Sequence, residues 1–333
     1  MKAIVIKEFG GPEVFVEAEL AQPELRDGHL LVRVVASSVN PVDYKVRAGL
    51  IPPITPAFPA VLGCDVAGVV EGAGGGVTGF ADGDEVYFCA GSPAGVGGAL
   101  AEYCLVDASQ VAKKPTNLDF DEAAALPLVM ITAWDGLIDR AKVGPGMTVL
   151  VHGATGGVGH AGVQLAKHAG AKVFATASSD EKAAIAKDLG ADVVINYREQ
   201  SVEDYVAEHT GGAGFDVVFD TVGGDNVLRS ISATGLNGQV VCVNTRCECD
   251  LSQLHQRGLS MHVVFMLIPM FHDQPAGRAH HGDILRELAR RVEAGEIRPL
   301  VHEERFEFAE VGKAQALLEG GGAVGKVVLC GWG

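Results

Sequence analysis

The stretch Val149-Leu-Val-His-Gly-Ala-Thr-Gly-Gly-Val-Gly159 limits this chain more than any other feature. An apolar run ends in a glycine cluster and continues as a helical pattern. Glycines let a backbone approach a diphosphate closely, and the helix that follows offers unpaired N–H groups and the positive end of its dipole. The G-x-G-x-x-G pattern is weak by itself, and Ala154 replaces its first glycine. The context strengthens it, because further strand and helix units follow in order. Thr155, Gly156, Gly157, Val158 and Gly159 are therefore assigned to a dinucleotide. A tight strand-to-helix turn without a ligand is the alternative.

Those units begin at Thr148. Strands are expected over 148–152, 172–176, 193–196, 215–220 and 239–243. Helices are expected over 158–168, 180–189 and 202–209, and after Asp225. Short strands joined by single helices cross over right-handed and make a parallel sheet covered on both faces. The first third differs. Strands over 3–6, 30–36, 61–71, 85–88 and 101–106, with Pro52, Pro53, Pro56 and Pro59 between them, indicate a mostly antiparallel β domain with few helices. A chain of 333 residues accommodates two such domains. A helix over 283–294 and a last strand over 324–329 complete the pattern, and that strand is expected to return to the first domain.

The end of the second parallel strand distinguishes the cofactors. An NAD site places an Asp or Glu there for the ribose 2′-hydroxyl. Here the segment reads Thr176-Ala-Ser-Ser-Asp180, with Ala177 in the acidic position. Without that carboxylate a 2′-phosphate is not repelled, Ser178 and Ser179 can donate to it, and Lys182 supplies charge. NADPH is the expected cofactor. The competing reading makes Ser178-x-x-Glu181 a capping box and Lys182 a solvated lysine.

Four stretches together resemble the medium-chain dehydrogenase/reductase superfamily, in its zinc-independent quinone oxidoreductase (zeta-crystallin-like) branch. They are Ser38-Val-Asn-Pro-Val-Asp43, Gly63-x-Asp-x-Ala-Gly-Val-Val70, Leu126-Pro-x-x-x-x-Thr-Ala-Trp134, and the glycine turn with its continuation Leu189-Gly-Ala-Asp-x-x-Ile-Asn-Tyr197. The resemblance implies an α/β protein with a GroES-like β catalytic domain over 1–123 and 297–333. It also implies a Rossmann domain over 124–296, with a doubly wound parallel sheet and the active site in the cleft between the domains. Tyr197 is placed beside the 2′-phosphate with Lys182, and Val222, Gly223 and Asn244 lie in loops near the nicotinamide.

Zinc-dependent relatives hold a catalytic metal on three ligands, and their positions correspond here to Asn40, Cys64 and Leu128. One possible ligand does not hold the ion. Cys89 and Cys104 stand isolated where a structural zinc would need four close cysteines. No zinc is expected. Without a Lewis acid an unactivated alcohol is a poor substrate, whereas a quinone or α,β-unsaturated carbonyl is already electrophilic. The expected function is hydride transfer from NADPH to such an acceptor, with Asn40, Asp43, Tyr44 and Thr132 as candidates for orienting it or donating a hydrogen bond or proton. Tyr44 reads equally well as a packing residue. Lys45 departs from the aromatic that relatives place there, which puts stacking on the acceptor in doubt. Other readings keep the fold: a reductase of a specialised activated alkene or acyl thioester, or a protein that binds NADPH without turnover.

A formal charge of −16 argues against nucleic acid and anionic lipid partners. The most apolar stretch, residues 262–270, is too short to span a bilayer. The seven cysteines form no framework, which suits a reducing cytoplasm. Cys242, Cys247 and Cys249 have chelating spacing but read as small residues at a strand end. His160, His168, His280 and His281 follow no partner pattern and read as structural or solvated. The apolar segment 261–270, as a strand at the sheet edge, can pair across a two-fold axis and points to a homodimer; filling the cleft behind the Rossmann domain is the alternative.

Overall fold

The computed structural model describes residues 1–51, 57–90, 98–248 and 250–332. The chain forms two compact units, Met1–Leu128 with Leu267–Gly333, and Val129–Met266.

In the first unit the strand His29–Ser38 is central. It pairs antiparallel with Asp65–Ala73, Tyr103–Asp107 and Lys326–Cys330, and Glu85–Cys89 and Ala112–Lys113 extend the sheet beyond Asp65–Ala73. Val301–Phe306 adds a parallel edge next to Lys326–Cys330. The last strand thus returns to the first unit, as its isolation in the sequence implied. A small second sheet joins Phe15–Glu19, Lys2–Ile6 and Ala60–Val61. The single strand expected over 61–71 is two strands, separated where Gly63 adopts φ +94°, a conformation that strands do not use.

Two helical features of this unit escaped the sequence reading. The helix Pro41–Arg47 is short, starts with proline and lies within a β-rich stretch, so it leaves little helical periodicity. The helix expected over 283–294 begins eight residues earlier, as Pro275–Glu293. Its buried face, His281, Ile284, Leu285, Leu288 and Val292, lies on the β framework. There the Tyr87 hydroxyl donates to the Leu285 carbonyl at 2.6 Å, and Arg286 donates to the Val111 carbonyl at 3.0 Å. Residues 267–296, assigned with the Rossmann domain from sequence, therefore pack in the first unit.

The second unit is a six-stranded parallel sheet in the order Val193–Asn196, Lys172–Ala177, Thr148–His152, Phe215–Asp220, Thr234–Cys242, Ser260–Val263. It is the expected doubly wound sheet, and the two units together have the fold that the resemblance implied. One flank is packed by Leu150, Phe174, Ile195, Tyr205, Phe215, Val218 and Ala233, with the Phe174 and Phe215 rings 4.9 Å apart. Burying each of those rings stabilises by about 2–3 kcal/mol. The sequence reading listed five strands. The sixth is the first part of the apolar segment 261–270, at the sheet edge. The rest of the segment leaves the sheet and turns at Leu267 into the short helix Ile268–Phe271.

Candidate functional site

The cradle in the second unit lies at the carboxyl ends of the central strands, where the strand order reverses from Thr148–His152 to Phe215–Asp220. The turn after His152 leads to Gly156, an extended N-cap without a side-chain cap, and the helix Gly157–His168 starts there. The N–H groups of its first turn have no intrahelical acceptors and remain available to an anion. A Cβ on Gly159 would stand 2.0 Å from the Gly153 carbonyl oxygen, so this glycine is required for the helix to approach the strand. Thr155, Gly156, Gly157, Val158 and Gly159 thus share one turn.

Three neighbouring loops are tied together there. Thr221 donates to the His152 carbonyl at 2.6 Å. Asp220, fully buried, accepts from the backbone N–H of Val222 and of Gly223, both at 2.9 Å, and from the Ser230 hydroxyl at 2.9 Å. Gly223 has φ +76°, and a Cβ there would meet the Asn244 carbonyl oxygen at 2.2 Å. Val222, Gly223 and Asn244 are therefore in contact, and the Asn244 amide donates to the Val222 carbonyl at 3.3 Å. The sequence reading treated Asp220 only as a strand end. An acidic residue closing the apolar run Val217-Val218-Phe219 was the available signal.

His152, at the end of the first parallel strand, was not singled out either. It is buried, with Nδ1 3.3 Å from the Thr176 hydroxyl. Burial, partly opposed by Asp220, pushes its pKa down to about 4, so the ring is neutral near pH 7. His160 is also buried, with Nδ1 3.3 Å from the Gly156 carbonyl, in keeping with a structural role.

At the other end of the cradle, Tyr197 donates its backbone N–H to the Ala177 carbonyl at 3.3 Å, which joins the ends of two adjacent strands. Tyr197 is 47% exposed. The cap of the helix Asp180–Asp188 is Ser179, not Ser178, and its hydroxyl oxygen accepts from the Lys182 N–H at 3.3 Å. The capping box read at Ser178 and Glu181 is not formed, because the helix starts one residue later. Ser178 is left outside the helix. The Ser179 hydroxyl proton stays free to donate, and Lys182 is half-buried on the first turn.

The first unit holds a buried polar cluster. Asp65, with no exposed surface, accepts from the Ser38 hydroxyl at 2.7 Å, the Asn40 amide at 2.8 Å and the Leu128 N–H at 2.8 Å. Lys326 completes it, 3.1 Å from Asp65 and hydrogen-bonded to the Asn40 side-chain oxygen. Asp43 caps its own helix by accepting the Asn40 N–H at 2.7 Å, and the Cys64 thiol lies 3.6 Å from its other oxygen. Burial pushes Asp43 up to about 7, against the pull of the Asn40 N–H and the Lys326 charge. The Cys64 thiol, hydrogen-bonded to Cys89 and buried, is held well above the usual thiol range. Cys89 is thus the partner of Cys64, although in sequence it stands alone.

Of the four proposed chemical residues, Asn40 and Asp43 belong to this cluster. Tyr44, next on the helix, is half-buried, and burial and then Glu319 raise its pKa. Thr132 is buried in the second unit, on the helix Pro127–Trp134. Ser38 and Asp65 stand in the motifs that carry the resemblance but were given no role, and Lys326 was missed, because each reads in sequence as an ordinary strand residue.

The cluster does not suit zinc. The Asn40 amide is committed to Asp65 and Lys326, Leu128 offers no side-chain donor, and the lysine ammonium already neutralises the acidic oxygens. Among the described residues no three His, Cys, Asp or Glu side chains are gathered to hold a metal ion. Cys242 and Cys247 are in no disulfide among the described residues, and Cys249 lies outside the described residues. No helix among the described residues is long and apolar enough to cross a membrane.

Comparison with known proteins agrees with both units. Residues 26–116 match the family described as alcohol dehydrogenase GroES-like domain, and residues 157–272 match the one described as zinc-binding dehydrogenase. The chain is 34% identical to the NADPH-dependent alkenal/one oxidoreductase, chloroplastic, of Arabidopsis thaliana, over 99% of this chain and 79% of the relative. It is 32% identical to a quinone oxidoreductase of Pongo abelii, over 99% and 97%. A mycobacterial structure solved with NADPH superposes with a TM-score of 0.87 at 32% identity, covering 99% of this chain and 100% of that one. By fold, motifs and full-length similarity, the chain belongs to the medium-chain dehydrogenase/reductase superfamily, in its zeta-crystallin-like quinone oxidoreductase branch.

Proposed function

We propose that this protein is an NADPH-dependent oxidoreductase that reduces a quinone or α,β-unsaturated carbonyl without a metal. The observation that carries the reading is the commitment of Asn40 and Asp65 to the Lys326 ammonium. With that charge supplied by a side chain and no Lewis acid to stabilise an alkoxide, the suitable acceptors are those already electrophilic. The relatives named for alkenal/one and quinone reduction support the same chemistry.

In this reading the first turn of the helix Gly157–His168, with Thr155 to Gly159, holds the diphosphate of NADPH. Ser178, Ser179, Lys182 and Tyr197 receive the 2′-phosphate, where a single charged hydrogen bond contributes about 1.5–3 kcal/mol. Val222, Gly223 and Asn244 border the nicotinamide. The bound cofactor supplies the hydride. Asp43, whose carboxyl burial raises to about 7, and the Tyr44 hydroxyl are the candidate proton donors, and Asn40 and Thr132 orient the acceptor. The protein acts in the cytoplasm as a homodimer, for which the strand Ser260–Val263 with its half-exposed Val263 offers a pairing edge.

The test is paired titration with NADPH and NADH, oxidation of the bound cofactor by a panel of quinones and alkenals, and metal analysis of the active protein. Rapid NADPH oxidation without bound metal is expected. A protein that binds NADPH and transfers hydride to none of the panel refutes the reductase, and stoichiometric zinc refutes the metal-free reading. Light scattering checks the dimer.

A further inference from the structure

The last strand of the first unit carries a lysine in an unusual setting. Lys326 is 3% exposed, and its ammonium donates to the Val39 carbonyl at 3.0 Å, to the Asn40 side-chain oxygen and to Asp65 at 3.1 Å. All three N–H donors of the ammonium are matched by acceptors. Taking a lysine and an aspartate out of water together is costly, and well-packed apolar residues in their place are commonly as stable. Stability alone therefore does not account for the pair.

What the pair holds is specific. Val39 and Asn40 are the two residues that lead into the helix Pro41–Arg47, and the Asn40 N–H is in turn capped by Asp43. The lysine bond to the Asn40 oxygen fixes which way round the amide sits, so that its NH2 faces Asp65. Val39 also donates its own N–H to the Val327 carbonyl, next to Lys326. The entry of this helix is thus clamped to a strand almost 290 residues away in the chain, and the helix bears Asp43 and Tyr44.

We propose that Lys326 is a positioning residue: with Asp65 it clamps the start of the helix Pro41–Arg47 so that the side chains this helix presents are held in working geometry. The inference rests on the reductase reading for its catalytic consequence. Its structural half stands apart from that reading.

The variants are Lys326→Met, which removes the charge at similar length, and Lys326→Arg, which keeps it. Amide hydrogen exchange of the full chain, without substrate, reports the clamp. Exchange over residues 39–48 speeds up in Lys326→Met and stays near wild type in Lys326→Arg, while the parallel sheet of the second unit is unchanged. Steady-state reduction of a quinone then reads the consequence: kcat falls about tenfold or more in Lys326→Met with the KM for NADPH unchanged, and arginine restores it. If Lys326→Met does not fold, Asp65→Asn/Lys326→Met removes both charges, and the same two readouts apply. Unchanged exchange over 39–48, or a loss of protection spread over the whole chain, overturns the clamp. Wild-type kcat in a variant with a loosened helix entry overturns the positioning role. A wild-type protein that reduces no acceptor refutes the reductase reading, and the exchange measurement still decides the clamp.

Discussion

Replacing Asp43 by asparagine probes the buried cluster through its pH dependence. Burial lifts the Asp43 carboxyl from 3.8 to about 7, so the folded chain holds a proton that the unfolded chain releases. The sign follows from proton linkage: stability attributable to Asp43 is fully present below about pH 4 and is lost as pH rises through about 7. A shift of about three pH units at about 1.4 kcal/mol each sets a ceiling of about 4 kcal/mol, of which about 3 lies between roughly pH 4.5 and pH 8. His152 slopes the other way. Its pKa is pushed down to about 4, so its contribution is present above pH 6.5 and fades as pH falls through 4. Comparison of the variant with wild type cancels that term. Asparagine keeps an acceptor for the Asn40 N–H, so the helix cap survives. Urea unfolding at about pH 4.5 and about pH 8 should show Asp43→Asn gaining on wild type by about 2–3 kcal/mol over that interval. Parallel pH dependence in the two proteins would refute the raised proton affinity of Asp43.

Three further outcomes are expected. Gly159→Ala puts a Cβ 2.0 Å from the Gly153 carbonyl, so the helix must move off the turn; calorimetry should show NADPH affinity falling about a hundredfold or more, whereas unchanged affinity would dismiss the cradle. Lys182→Ala should weaken NADPH by about 10–100-fold and leave NADH within about twofold, and equal losses for both would remove Lys182 from the 2′-phosphate. Tyr87→Phe leaves the Leu285 carbonyl without its 2.6 Å donor and should lower unfolding stability by about 1–2 kcal/mol, with cofactor binding intact.

The Rossmann strands were legible in sequence because a parallel strand covered on both faces is a short apolar run, and three of them match to the residue, 148–152, 193–196 and 215–220. The β domain was less so. Its strands bend at Gly63, and the helix Pro41–Arg47 is too short to show a period. Residues 275–282 lack the apolar stripe of a helix, since that turn of Pro275–Glu293 approaches the framework through Gly282, where a Cβ would meet the Ser109 carbonyl oxygen at 2.0 Å.

The site divides in the same way. The glycine turn, the missing acid at Ala177 and the absence of two of three zinc ligands are local facts of spacing and chemistry, readable in order along the chain. The cluster of Ser38, Asn40, Asp43, Cys64, Asp65 and Lys326 is not local, because its members come from three separate segments and only sheet pairing brings them together. The proton affinity of Asp43 depends on that burial, and so does that of the Cys64 thiol. Sequence alone determined the two-part architecture and the cofactor turn, since both follow from short-range periodicity and backbone sterics. Which polar groups meet in the dark of the first unit, and with what charge, was decided by tertiary structure, because desolvation and Coulomb energy depend on distances that the order of residues does not contain.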